Sequence, residues 1–466
     1  MSEDPVPALL DDGMKMLEAE FGALAPFQPA RRIDMDTGAM AAVLAETARR
    51  LGDNYPYFHP LYAGQMLKPP HPVARAAYAL AMLINPNNHA RDGGRASSAM
   101  EIEAVAQIAG MFGWSEHLGH LTSGGTMANL EALWVAGQIQ GSGIRGQGSG
   151  GTGRRIVGSE QAHYTHQRIS GVLKLEYGSV KADAQGRMRL DALEDELHKG
   201  DVGTVVVTLG TTAIGAVDPL PEILELKERY GFRVHVDAAY GGYFKLIEEK
   251  LDGPARRAYQ AIDRADSIVI DPHKHGLQPY GCGCVLFKDP EVGRFYKHDS
   301  PYTYFTSKDL HLGEISLECS RAGAAAVALW ATQRLLPLKP GGEFADGLAK
   351  GRAAALELDR RLRTDGRFEA LTAGKPELDI VVWKMNAGTV EKASRLGQSI
   401  FSRCAENNLH LALVQLPQFW FRAAEADQAH VTCLRSVLMK PEHEAWLDRI
   451  WDELSAACRE AMVEER

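Results

Sequence analysis

The sequence predicts an α/β protein with a mostly parallel, doubly wound sheet in a large domain and a smaller α+β domain behind it. Three observations carry this. From residue 155 onward, short apolar runs bounded by turns (IVGS, VLKLEYGS, TVVVTLG, FRVHVDAAY, SIVIDPHK, GCVLFKD) recur along the chain. Helical stretches such as 190–198 and 221–230 separate them, and strands spaced by helices form βαβ units. After 337–342 the character changes to a long alanine-rich helix over 344–363, strand-like LDIVVWKM and HVTCLRSVLM, and a helical tail. That is a unit of ordinary domain size. The expected divisions are an N-terminal segment over 1–65, the large domain over 66–336 and the small domain over 337–466.

The elements follow in order. Residues 1–65 mix a short helix with an aromatic, proline-broken stretch at 55–62, which cannot form a core alone and is expected to pack on a second copy of the chain. Ser98 followed by Glu101 has the spacing of a capping box, and Ile102, Val105, Ala109 and Phe112 then recur at helical spacing. A second helix starts near Thr126, with Leu130, Leu133, Trp134 and Gly137 on one face. The glycine-rich stretch 137–153 contains GSGIRG, formally a dinucleotide fingerprint. That motif needs a strand before it and a helix after it, and here the order is reversed. A flexible surface connection is expected instead.

Composition excludes several classes. The 466 residues are 45% hydrophobic and 24% charged, which rules out a disordered or fibrous chain. A net charge of -9 argues against a general nucleic-acid binder. Six cysteines are too few for a disulfide scaffold. No apolar stretch approaches the roughly 18–20 residues that span a bilayer, and the acidic N-terminus does not read as a signal peptide. A cytoplasmic protein without membrane partners is expected.

Three segments carry chemistry. In SIVIDPHKHG, Lys274 follows a buried strand, where an ammonium loses hydration; this is an asset if the lysine works as a neutral amine forming a Schiff base. In FRVHVDAAYGG, Asp237 ends an apolar strand and is followed by small residues, placing a carboxylate where it can face a ligand cation. In HLTSGGTMANL, Ser123, Gly124, Gly125 and Thr126 enter a helix, whose free N–H groups and dipole favour a phosphate. A phosphate cradle, a carboxylate and a lysine at strand ends are what pyridoxal phosphate requires.

With TSGGTMANL, SEQAHYT, VTLGTTAIGAVDPL, HVDAAYGG and DPHKHG in this order, residues 55–335 resemble the group II pyridoxal-phosphate-dependent amino-acid decarboxylases. These have the aspartate-aminotransferase fold (fold type I), with a seven-stranded sheet in the large domain. The resemblance implies that Lys274 forms the Schiff base with the aldehyde of pyridoxal 5'-phosphate and that Asp237 pairs with the pyridinium nitrogen. Ala239 would pack beneath the ring and His163 stack above it. Gly125 and Thr126 would bind phosphate, Thr212 would lie near the cofactor, and His273 and Asp271 would sit by the phosphate. Asp271 stands where several relatives carry asparagine.

Tyr302 and Tyr304 fall where the family carries a mobile catalytic loop, and one of them would protonate Cα as general acid. Arg321 is expected in a structural ion pair near the site. Arg435 would either reach a carboxylate or form a surface pair, and Tyr57, Phe58 and His59 would line the pocket, from the same chain or from a partner chain. Neither Cys282 with Cys284 nor His163 with His166 has a second ligand pair at zinc spacing, so no metal is expected. The expected activity is decarboxylation of an L-amino acid, aromatic or acidic, by a homodimer. The alternatives are aminotransfer, aldehyde synthesis or carbon–carbon lyase chemistry on the same scaffold, and, further off, cofactor binding without turnover.

Overall fold

Seven short strands, most of them buried, assemble into one sheet. The computed structural model describes residues 4–25, 37–90, 92–142, 155–297, 315–371, 374–421 and 427–465. The chain opens with α1 (Val6–Glu20), α2 (Thr37–Leu51), α3 (Pro72–Met82) and α4 (Arg95–Met111). It continues through β1 (Leu118–Thr122), α5 (Gly125–Ser142), β2 (Arg155–Ser159), α6 (Thr165–Val172) and β3 (Tyr177–Val180). Next come α7 (Leu190–Leu197), β4 (Val202–Thr208), α8 (Leu220–Tyr230), β5 (Arg233–Asp237), α9 (Gly253–Gln260), β6 (Ser267–Ile270) and β7 (Gly283–Phe287). The rest is α10 (Gly293–Tyr296), α11 (Gly323–Leu335), α12 (Glu343–Thr364), β8 (Phe368–Ala370), β9 (Ile380–Met385), α13 (Val390–Glu406), β10 (Ala412–Pro417), β11 (His430–Val437) and α14 (His443–Glu464).

The large sheet has the order β1-β7-β6-β5-β4-β2-β3. Only β7 runs against its neighbours, β1 and β6; β2 to β6 pair in parallel. All seven residues of β4 are buried, as expected of a strand covered by helices on both faces. Full burial of each of its valines stabilises the sheet by roughly 1.5–3 kcal/mol. The second sheet is antiparallel, in the order β10-β11-β9-β8. Among the described residues no helix is long and apolar enough to cross a membrane.

Several local expectations change. Helix α4 begins at Arg95 after Gly94, so Ser98 lies inside its first turn and no capping box forms. Ser98 N donates to Gly94 O, and Glu101 is buried and engaged elsewhere, as described below. Ile102 is 49% exposed, while Val105, Ala109 and Phe112 are buried. In VLKLEYGS the first residues end α6, and only Tyr177–Val180 is strand. Residues 137–142 belong to α5 rather than to a flexible connection; residues 143–154 lie outside the described residues. Helix α13 and strands β8 and β10, absent from the sequence reading, complete the small sheet and its cover.

Neither α1 nor α2 contains a buried residue, and Leu9, Met16, Val43, Leu44 and Leu51 are exposed. Residues 61–63 dock on the C-terminal part of the same chain. Ala63 N donates to His410 O at 2.9 Å and Val437 N to Ala63 O at 2.7 Å.

Candidate active site

Strands β1, β2, β4, β5 and β6 all run in one direction, so the residues that follow their C-terminal ends gather along one edge of the sheet. Ligand crevices of open α/β sheets form at that edge. Here it borders a cavity of about 420 Å³ whose lining includes Ser123, Gly125, Thr126, His163, Thr208, Thr212, Asp237, Ala239, Asp271, His273 and Lys274.

One end of the cavity is the start of α5, an 18-residue helix. The amides of Gly125, Thr126 and Met127 head this helix without intrahelical acceptors. Thr122 Oγ1 donates to Gly124 O at 3.0 Å and tightens the turn. The turn rests directly on β7, where a Cβ on Gly283 would lie 2.5 Å from the Gly124 carbonyl carbon. Gly125 abuts Asp271, and a Cβ there would stand 2.6 Å from Asp271 Oδ2.

Lys274 Nζ is 3.2 Å from Asp271 Oδ2, and its side chain is 22% exposed. The Lys274 amine thus lines the cavity while paired with a buried carboxylate. His273 Nε2 lies 3.6 Å from the same oxygen, and its ring is tilted against Tyr280 with centroids 4.6 Å apart. Burial lowers the His273 pKa against the opposing pull of Asp271.

Asp237 ends β5 opposite Thr208 of β4. Its Oδ2 lies 2.8 Å from His166 Nε2, and its Oδ1 accepts from Ala239 N at 3.1 Å. Burial alone would raise the carboxyl pKa; the hydrogen bond from His166 and the nearby charges of His166 and Lys274 override this and hold it below the usual carboxylate range. His163 Nδ1 accepts from Thr165 N at 3.2 Å, which leaves Nε2 as the donor. Burial lowers the His163 pKa, so the ring is neutral near pH 7.

Other expectations fare differently. Tyr302 and Tyr304 lie outside the described residues. Within one chain Tyr57, Phe58 and His59 lie away from the cavity lining: Tyr57 meets Tyr62 edge-on at 4.9 Å, His59 meets Trp446 at 4.9 Å, and Phe58 is exposed. Arg435 neither pairs at the surface nor meets a carboxylate. It is buried and donates to Thr212 O at 2.8 Å, Ala213 O at 3.1 Å and Gly64 O at 3.3 Å, satisfying loop carbonyls that have to find a donor away from water. Arg321 pairs with Glu101 at 2.7 Å.

Sequence reasoning missed four participants: His166, Thr208, Glu101 and Glu318, whose Oε2 accepts from Ser123 N at 2.9 Å. A signal existed for His166. It follows His163 by three residues at a helix entry, which places both on one side of a turn.

The donor set suits a flat, phosphate-bearing, cationic heterocycle. The start of a helix, the Asp237 carboxylate and the Lys274 amine all line the one cavity. Thr208 Oγ1, Asp271 Oδ1 and His273 Nδ1 are buried with no hydrogen-bond partner among the described residues; such groups normally find one in a ligand or water. These are features that pyridoxal phosphate would satisfy.

The pyridoxal-dependent decarboxylase conserved domain matches residues 56–386. An L-tyrosine decarboxylase from Enterococcus faecium is 29% identical over 394 residues, covering 65% of this chain and 64% of that protein. An aspartate 1-decarboxylase from Aliivibrio fischeri is 36% identical over 230 residues, covering 45% of this chain and 41% of that protein. The chain thus spans less than two thirds of the length of either relative. Among solved structures, Oryza sativa TDC with PLP and tryptamine shares the fold, with a TM-score of 0.78 at 18% identity over 99% of both chains. With the conserved domain covering well over half of its length and the cavity carrying the matching donor set, the chain belongs to the pyridoxal-dependent decarboxylase family.

Proposed function

We propose that the protein releases CO2 from an L-amino acid in a reaction that depends on pyridoxal 5'-phosphate, leaving the amine. The observation that carries this reading is the ionised, buried carboxylate of Asp237 facing the same cavity as the Lys274 amine. Gly125 and Thr126 hold the phosphate, Asp237 the ring nitrogen, Ala239 and His163 the two ring faces, and Lys274 the aldehyde carbon. Thr212, His273 and Asp271 complete the surround. When bound, the group supplies an electron sink for the carbanion left as a bond to Cα breaks.

The chain's own residues do the rest. Asp237, as a fixed anion, keeps a proton on the ring nitrogen through a charge-assisted bond. Neutral His163 stacks without adding a second cation above the ring, and its Nε2–H can donate to a substrate carboxylate. Asp271 holds the Lys274 ammonium at the cavity until the amine is needed. The proton that replaces the lost carboxylate at Cα is assigned to Tyr302 or Tyr304.

The tyrosine and aspartate decarboxylases among the relatives bracket the substrate as an aromatic or acidic amino acid. A homodimer is favoured by α2, whose apolar residues Met40, Val43, Leu44 and Leu51 are all exposed within the chain. A reducing, cytoplasmic compartment fits six free thiols. The test is incubation of the cofactor-loaded protein with a panel of L-amino acids and mass-spectrometric analysis of the products. Amine with CO2 is expected from one class. A keto acid or an aldehyde would instead assign aminotransfer or aldehyde synthesis to the same cavity, and no turnover with any amino acid would leave a binding protein.

A further inference from the structure

Two imidazoles reach the site from one helix entry. His163 lines the cavity, whereas His166, wholly buried on α6, lies behind Asp237 and is not part of the lining. Its Nε2 stands 2.8 Å from Asp237 Oδ2. A carboxylate accepts, so the proton sits on Nε2. The other nitrogen, Nδ1, is buried with no hydrogen-bond partner among the described residues. The ring therefore has one polar contact to make, and it makes it with Asp237. Together with the Ala239 amide on Oδ1, this bond fixes both carboxylate oxygens.

We propose that His166 is a positioning residue that holds Asp237, in charge and in orientation, as the acceptor for a protonated ring nitrogen in the cavity. This rests on the pyridoxal-phosphate reading of the site. The physical need is plain. A carboxyl this deeply buried goes neutral unless a donor or cation holds its charge, and a neutral carboxyl cannot keep a pyridine protonated.

The other titratable groups around Asp237 do not replace His166. His163, from the loop before α6, is lowered by burial. His235, two residues earlier on β5, has its ring centroid 6.2 Å from that of His166. It is committed to Ser267 Oγ at 2.9 Å and Asn129 Oδ1 at 2.8 Å, and burial pushes it down to about 3. Lys274 favours the carboxylate but is itself paired with Asp271. His166 alone among them bonds Asp237 directly.

The experiment compares the full chain with His166→Phe, which removes the donor, and His166→Gln, which retains an N–H. Pyridoxal 5'-phosphate affinity is measured by absorbance and fluorescence titration at about pH 6 and about pH 8, with thermal unfolding of the cofactor-free proteins as a fold control. In His166→Phe the buried Asp237 protonates more readily, so affinity falls by at least about tenfold relative to wild type at pH 6 and by less at pH 8. His166→Gln is expected to stay within about threefold of wild type at both. A purely structural role would weaken both pH values alike. Phe-variant affinity within about twofold of wild type at both pH values, or a Gln loss as large as the Phe loss, overturns the proposal. His166→Leu serves in the same comparison if the Phe variant does not fold. Wild-type protein that takes up no pyridoxal 5'-phosphate overturns the reading of the cavity itself, a separate and recognisable failure.

Discussion

Glu101 Oε1 and Arg321 Nη1 meet at 2.7 Å although 220 positions separate them, and between them they hold both backbone groups of Leu121. Glu101 Oε1 accepts from Leu121 N at 2.9 Å, and Arg321 Nη1 donates to Leu121 O at 2.6 Å. Asn88 Nδ2 donates to the other Glu101 oxygen at 2.6 Å. Leu121 lies two residues before Ser123, so this buried pair sets where β1 stops and where the helix amides of α5 point.

Removing one side of the pair leaves the other charge buried and alone. Glu101→Leu should destabilise the fold by about 3–5 kcal/mol, the usual cost of breaking a buried ion pair. It should also weaken cofactor binding, because the cradle shifts with Leu121. Urea unfolding followed by circular dichroism checks the first effect and cofactor titration the second. A loss near zero would mean that water reaches Arg321.

Lys274→Ala should abolish turnover and remove the visible absorbance band of the bound cofactor, since no other amine lines the cavity among the described residues. The fold should survive, because the side chain is partly exposed and its removal frees Asp271 to meet water. Absorbance spectra of the variant mixed with pyridoxal 5'-phosphate are the check. An unchanged band would assign the covalent link to another residue.

Gly125→Ala puts a methyl group 2.6 Å from one Asp271 oxygen and 2.8 Å from the other. Asp271 is only 3% exposed and is tied to Lys274, so it has little room to retreat. Overpacking of this kind costs about 1–3 kcal/mol. It should appear as a roughly tenfold or greater loss of cofactor affinity with a modest fall in melting temperature.

The pH dependence of stability should carry the mark of buried histidines. Burial pushes His235 and His443 down from 6.5 to about 3. Between those values the unfolded chain binds protons that the folded chain refuses. Each histidine's contribution is therefore present above pH 6.5 and is lost as pH falls toward 3, by up to about 1.4 kcal/mol per pH unit. Asp218 and Asp379, which burial pushes up to about 7 and about 6, titrate in the opposite sense. The difference between wild type and His235→Gln in urea midpoint across pH 4–6 isolates one histidine. Parallel curves would contradict the assignment.

If α2 is covered by a second copy of the chain, charges on its apolar residues should dissociate it. Val43→Asp with Leu44→Asp is expected to shift the protein from dimer to monomer in analytical ultracentrifugation. The melting behaviour of the large sheet should change little, since neither residue is buried within the chain.

Much of the architecture was legible along the chain because its signals are local. Apolar runs such as TVVVTLG and SIVID report their own strands as short, continuous β-branched stretches bounded by turns, and they appear as the fully buried β4 and β6. Lys274, Asp237 and Gly125 stood out because each is a costly or special residue at or just past the end of such a strand. Arg435 was misjudged for the opposite reason. Its role is set by the carbonyls of Thr212 and Ala213, more than 200 positions away, and nothing beside Arg435 in the sequence announces them.

The order of residues along the chain determined the period of each strand and helix, and it put a lysine, an acid and a glycine-rich helix entry at strand ends. Tertiary structure alone decided which side chains meet across that edge: His166 with Asp237, Asp271 with Lys274, Glu101 with Arg321. Periodicity acts between neighbours a few residues apart. These meetings depend on which strand lies beside which after each crossover, and that order is chosen by the burial of the whole sheet at once.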